Sequence, residues 1–149
     1  SGTVTSVTCG TGLSGGTFTV SGTCAVSLTT ATNSLGADVN MGTINTYADG
    51  PSMAQGTSGT WFASGQVTIT NSAAEEHDCK LWDGTTVFDS AGGNVTAGGR
   101  VVISLSGTLA TPAANIRITC KGVSTSTGKM EFNRTGNSKD STISGFRIQ

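Results

Sequence analysis

Charge is scarce in this chain. Asp, Glu, Lys and Arg make up 11% of its 149 residues, and only Asp38 and Asp49 precede Glu75. The eight basic residues are scattered between Lys80 and Arg147, and the formal net charge is −1. A nucleic-acid partner is therefore not expected, because phosphate binding needs a dense Lys/Arg footprint. Long hydrophobic runs are also missing: no stretch approaches the roughly 20 apolar residues of a membrane-spanning helix, so no membrane partner is expected either. No signal-peptide pattern is visible at the N-terminus. The opening Ser1 fits removal of an initiator Met before a small residue, and equally a fragment cut from something longer. Aromatics are few (two Trp, one Tyr, five Phe), and there is a single histidine.

What fills the chain instead is Thr (26), Gly (22) and Ser (18), with 35% hydrophobic residues. Disorder requires low hydrophobicity combined with high net charge, and that combination is absent. Thr, Val and Ile favour strands and frequent Gly punctuates them, so the composition predicts an all-β protein. Alternation supports this. Val67 and Ile69 alternate with Thr68 and Thr70; Val101, Ile103 and Leu105 share one face; Ile116, Ile118 and Cys120 point inward against Arg117, Thr119 and Lys121. Asp83-Gly84 between CKLW and TTVF is a strong hairpin signal. In STISGFRIQ, Ile143 is out of phase with Phe146 and Ile148, which predicts a bulge near Ser144-Gly145. The fold expected is an antiparallel β-sandwich or jelly roll preceded by an N-terminal β-hairpin segment. The boundaries expected are 1–30 for the hairpin, 31–59 for a linker ending in the loop PSMAQGTSGT, and 60–149 for the sandwich.

Catalytic motifs are missing. There is no GxSxG elbow, and a lone His without an identifiable orienting partner argues against a triad. GTGLSGG lacks the Lys of a phosphate loop, so its glycines read as turn residues. Glu75-Glu76-His77-Asp78-Cys79 is the only cluster resembling metal ligands, and neighbouring strand residues point to opposite faces; it reads as a solvated polar loop feeding a strand. No enzyme activity, cofactor or metal is expected.

The four cysteines show no CxxC or Cys/His spacing, which argues against structural zinc. Cys9 and Cys24 flank the Gly15-Gly16 turn, so a cross-hairpin disulfide is geometrically feasible; the same thiols can instead pair between subunits. Cys79 and Cys120 read as two buried thiols, with a mutual disulfide as the lesser alternative. For ligand contact the candidates are Trp82, Asp83 and Tyr47, the first two at a hairpin turn where an aromatic can serve as a sugar platform. The competing and favoured reading of Trp82 is a residue capping the sandwich core.

GTVTSV, GTGLSGG, the short strand FTV and SGTCAVSL occupy residues 2–7, 10–16, 18–20 and 21–28. This succession resembles a recurrent segment of tailed-bacteriophage tail fibres and related appendage proteins. From WFASGQVTIT to GNSKDSTISGFRIQ the chain is similar to a β-sandwich module of phage virion proteins. The resemblance implies a non-catalytic virion-surface component, homotrimeric, bound to other virion proteins of the capsid, neck or tail. Tail fibres are usually much longer and repetitive, and this chain has no internal repeat, so a decoration protein or short fibre suits its size. A receptor- or carbohydrate-binding tip contacting a host surface glycan is the alternative.

Overall fold

The computed structural model describes residues 6–10, 13–14, 16–18, 23–26 and 28–148. All regular structure among them is strand. Four two-residue strands come first: β1 (Val7–Thr8), β2 (Leu13–Ser14), β3 (Thr17–Phe18) and β4 (Ala25–Val26). Next follow β5 (Thr30–Ser34), β6 (Val39–Asn40), β7 (Ala48–Met53), β8 (Thr60–Thr70) and β9 (Glu75–Trp82). The series ends with β10 (Val87–Val95), β11 (Arg100–Ala110), β12 (Ile116–Gly122), β13 (Lys129–Met130) and β14 (Thr142–Arg147).

From β5 onward these strands form an antiparallel β-sandwich. One sheet has four strands in the order β10-β9-β12-β7; the other has six, β5-β14-β8-β13-β6 with β11 on the second edge of β8. Between the sheets the alternating apolar positions meet. Trp61, Val67 and Ile69 of β8, Leu81 of β9, Ile116 and Ile118 of β12 and Ile143 of β14 are fully or almost fully buried, joined by Met41, Met53 and Met130. Asp89 of β10 reaches the edge of β11, where its carboxylate accepts the Ser106 N–H at 2.8 Å and ties the two sheets together.

Three expectations are corrected here. The stretch 31–59 is no linker: β5 pairs with β14, β6 with β13 and β7 with β12, so it supplies edge strands to both sheets. Pro51 lies within β7, which is tolerated because an edge strand needs ladder bonds on one side only. The expected bulge at Ser144-Gly145 is absent, since β14 pairs with β8 and β5 in unbroken register. Ile143 and Gly145 point inward and Phe146 outward. Position 145 is glycine because a Cβ there would lie 2.5 Å from the Phe62 carbonyl and 2.8 Å from Met53 Cε. Finally, Cys79 and Cys120 are not thiols. They are direct cross-strand partners on β9 and β12, with Cα atoms 4.1 Å apart, and form a buried disulfide. Closing about 41 residues is worth about 4 kcal/mol in the chain-entropy account.

In the N-terminal segment β1 pairs with β3 and β2 with β4, two interleaved antiparallel pairs rather than one hairpin. A Cys9–Cys24 disulfide spans them within one chain, and Gly16 takes φ +70°. Gly15 and most of the GTVTSV motif lie outside the described residues.

Candidate functional site

Cross-strand register on the four-stranded sheet brings together side chains far apart in sequence. On its outer face Trp82 stands opposite Arg117, Lys80 opposite Thr119 and Asp78 opposite Lys121. Tyr47, just before β7, completes the group. The Lys80 ammonium lies 3.5 Å from the Trp82 ring centroid and 4.3 Å from that of Tyr47. Arg117 adds its guanidinium at 4.9 Å from Trp82, and Lys121 its ammonium at 5.4 Å from Tyr47. Each such contact is worth roughly 0.5–1 kcal/mol at an exposed site. Together they hold three cations side by side on a rigid sheet.

Two of the cations have acidic neighbours. Arg117 Nε donates to Asp49 at 3.1 Å, and Lys121 Nζ lies 3.6 Å from Asp78 and 3.3 Å from the Asn45 side-chain oxygen. Among the described residues no carboxylate lies within ion-pair distance of Lys80, whose charge rests on the two rings alone. Trp82 Nε1 and Thr119 Oγ1, both on this face, are shielded from solvent and have no hydrogen-bond partner among the described residues. The face therefore offers one uncompensated cation flanked by two partly compensated ones, with Tyr47 39% exposed at its margin.

Of the three residues singled out from the sequence, the structure unites two. Tyr47 and Trp82 flank Lys80. Trp82 is half-buried on the outside of the sheet, so it does not cap the core, and its ring is already occupied by cations rather than bare for a sugar. Asp83 does not belong to a ligand site: it is 2% exposed and consumed by the turn. Its carboxylate accepts N–H groups from Thr85 (2.9 Å), Thr86 (2.7 Å) and Ala113 (2.7 Å). Burial by itself would raise its pKa, but these backbone donors outweigh burial and hold it below the ordinary carboxylate value. Lys80, Arg117 and Lys121 were missed as a group. Their outward phase was readable, but their adjacency depends on the β9–β12 register.

The acidic cluster around the lone histidine is also corrected. Residues 75–79 form the first part of β9, and alternation turns Glu75 and His77 inward, His77 to 0% exposure. Glu75 accepts from the backbone N–H of Ser124 (2.7 Å) and Thr125 (2.5 Å), the Thr125 hydroxyl (2.5 Å) and the Asn71 amide. His77 Nε2 lies 3.6 Å from Glu75. Desolvation lowers the His77 pKa despite that carboxylate, while the hydrogen bonds to Glu75 more than offset its burial and lower its pKa too. A neutral imidazole beside a buried carboxylate is a structural pin for the 124–128 segment. Among the described residues no three His, Cys, Asp or Glu converge as metal ligands.

At the end of the six-stranded sheet an open groove of about 720 Å³ runs beside Asp38, Lys129, Glu131 and Arg134. Its charges satisfy one another: Lys129 pairs with Asp38 at 2.8 Å and Glu131 at 3.3 Å, and Arg134 with Glu131 at 3.7 Å. The hydrogen bond from Lys129 is the main cause of the lowered Asp38 pKa, and that bond likewise raises Lys129.

No protein-family model and no curated protein matches the chain. Among solved structures it is similar to Eiger TNF from S. frugiperda at 9% identity and a TM-score of 0.47, covering 82% of this chain and 93% of that one. It is also similar, at 10% identity and a TM-score of 0.24, to an arabinose-bound MgGH51 α-L-arabinofuranosidase, covering 76% of this chain and 22% of that one. The chain is an all-β protein built as an antiparallel β-sandwich with one disulfide within its four-stranded sheet and a second in the N-terminal segment.

Proposed function

We propose that this chain is a non-enzymatic structural protein of a tailed-bacteriophage virion. In this reading it is a surface-exposed homotrimeric fibre or decoration protein, attached to capsid, neck or tail proteins, that presents a host-contacting head. The N-terminal resemblance supports the virion assignment. The observation that carries the contacting role is the cation–aromatic cluster of Tyr47, Lys80, Trp82 and Arg117 on a rigid exposed sheet. Such a face suits an anionic host surface glycan. A sugar carboxylate would meet Lys80, and ring hydroxyls would meet Asp49, Asp78 and Asn45 around it.

Glycan-array binding of the purified chain, repeated with Lys80→Ala and Arg117→Ala, tests the contacting role. Selective binding of carboxylated glycans, weakened by each substitution and by added salt, supports it. Binding confined to neutral glycans, or indifferent to both substitutions, overturns it. A purely particle-stabilising role is the second reading, favoured by the contrasting character of the other sheet.

A further inference from the structure

The outer face of the six-stranded sheet differs from the face just described. Strands β5, β14, β8 and β11 lie side by side in unbroken register, so their outward positions follow from direct pairing. Row by row these are Thr, Ser, Gln, Phe, Val and Ala. Apart from the end row of Thr70 and Arg100, none of the sixteen outward-phase positions on these strands carries a charge, and all but Thr68, which is 3% exposed and donates to the Asp140 carbonyl, are open to solvent in part or fully. Arg100 and Lys129 stand at one end, and the Lys139 ammonium donates to the Ser34 hydroxyl at 3.0 Å on the β5 margin. A groove of about 310 Å³ with a largely apolar lining crosses this face beside Ala31, Phe62, Gly145 and Phe146. The two phenyl rings pack against each other at a 40° tilt with centroids 5.5 Å apart, and Phe146 is 39% exposed.

We infer that this face is where copies of the chain pack against one another. Near the axis of a closed symmetric assembly each residue approaches its own copies, so a charge there would repel itself. A Ser/Thr face avoids that repulsion. Each hydroxyl is both donor and acceptor, so two identical rows can satisfy one another. The groove holding Phe62 and Phe146 supplies the apolar contact such an interface needs at its centre. With strands about 4.8 Å apart and outward residues about 6.8 Å apart, the sixteen positions cover roughly 500 Å². Three copies meeting on this face around one axis would then bury on the order of 1,500 Å² in total.

The inference rests on the homotrimer of the proposed function and names its contact surface. The test is native mass spectrometry and sedimentation of the full chain, wild type beside Ser144→Lys, Ser64→Lys and the control Ser90→Lys on the opposite sheet. Ser144 and Ser64 are exposed and sit mid-sheet opposite each other, so the fold tolerates the change, as an unaltered circular-dichroism spectrum verifies. The result expected is a wild-type trimer whose association weakens roughly tenfold or more in S144K and S64K, with S90K unchanged. A trimer indifferent to all three charges overturns the interface and leaves the homotrimer standing; a monomeric wild type overturns both. A benzophenone attached to Ser144→Cys, the sole free thiol in a chain whose other cysteines are disulfide-bonded, identifies the occupant. An interchain adduct is expected. An intrachain adduct to residues 1–28 would show that the chain's own N-terminal segment covers the face.

Discussion

The two outer faces of this sandwich are made from strands of similar length and alternation, yet they differ in chemistry. On the four-stranded sheet six of thirteen outward positions are charged, and two aromatics hold a lysine between them. On the six-stranded sheet charge is absent across sixteen positions. The whole chain carries so few charges that their gathering on one face is the informative feature. The charged face carries a lysine with no acidic partner within ion-pair distance among the described residues, which attracts an opposite charge, whereas a hydroxyl face carries no charge that its own copies would repel. The same fold can thereby present one side to a ligand and the other to itself.

The largest expected effect comes from breaking the scaffold under the charged face. Replacing Cys79 and Cys120 by Ala removes the link between β9 and β12, the two strands that align Lys80 with Arg117 and Lys121. Chemical denaturation is expected to show a loss of about 4 kcal/mol. Glycan binding should fall with it, and the hydroxyl face should be less affected.

Gly145→Ala acts beneath the other face. The added methyl would collide with the Phe62 carbonyl and Met53. Overpacking of this kind typically costs about 1–3 kcal/mol, and it should disturb Phe62 and Phe146 while leaving cation–aromatic contacts intact. A thermal melt read beside Trp82 fluorescence separates the two effects.

Acid offers a third lever. His77 has a folded pKa below its ordinary 6.5, so below that pH the unfolded chain takes up the proton first and stability declines. Glu75 is likewise lowered from 4.5; its contribution is present above that pH and is lost as pH falls through its folded pKa. Stability should therefore drop in two stages on acidification. His77→Gln should flatten the upper one in denaturation curves taken across pH.

The smallest effect on stability is expected for Lys80→Ala. Losing its ring contacts costs on the order of 1 kcal/mol, readable as a small Tm shift. The change in binding of an anionic glycan should be larger than the change in stability.

How much of this was legible beforehand depended on range. Strands β8, β11 and β12 announce themselves by period-two alternation, and Asp83-Gly84 marks its hairpin. Strand β7 was hidden because ADGPSM contains Gly and Pro. Gly50 is there because a Cβ would strike Met130 Sδ at 2.8 Å, and Pro51 because the strand is an edge. Glu75 and His77 looked solvated because polar residues usually are; their burial depends on Asn71, Ser124 and Thr125 arriving from elsewhere. Trp82, suspected through its neighbouring turn, stands on the outer face against Lys80 and Arg117, while Asp83, suspected for the same reason, is the turn itself. The cation cluster required the β9–β12 register, a long-range property that no local pattern encodes.

The measurement that tests the division of labour most directly is hydroxyl-radical footprinting of the full chain, dilute and concentrated. The account expects Phe146 and Phe62 to become protected as concentration rises, while Tyr47 and Trp82 keep their reactivity. Protection of Tyr47 and Trp82 with Phe146 left reactive would contradict it, placing the contact between copies on the charged face.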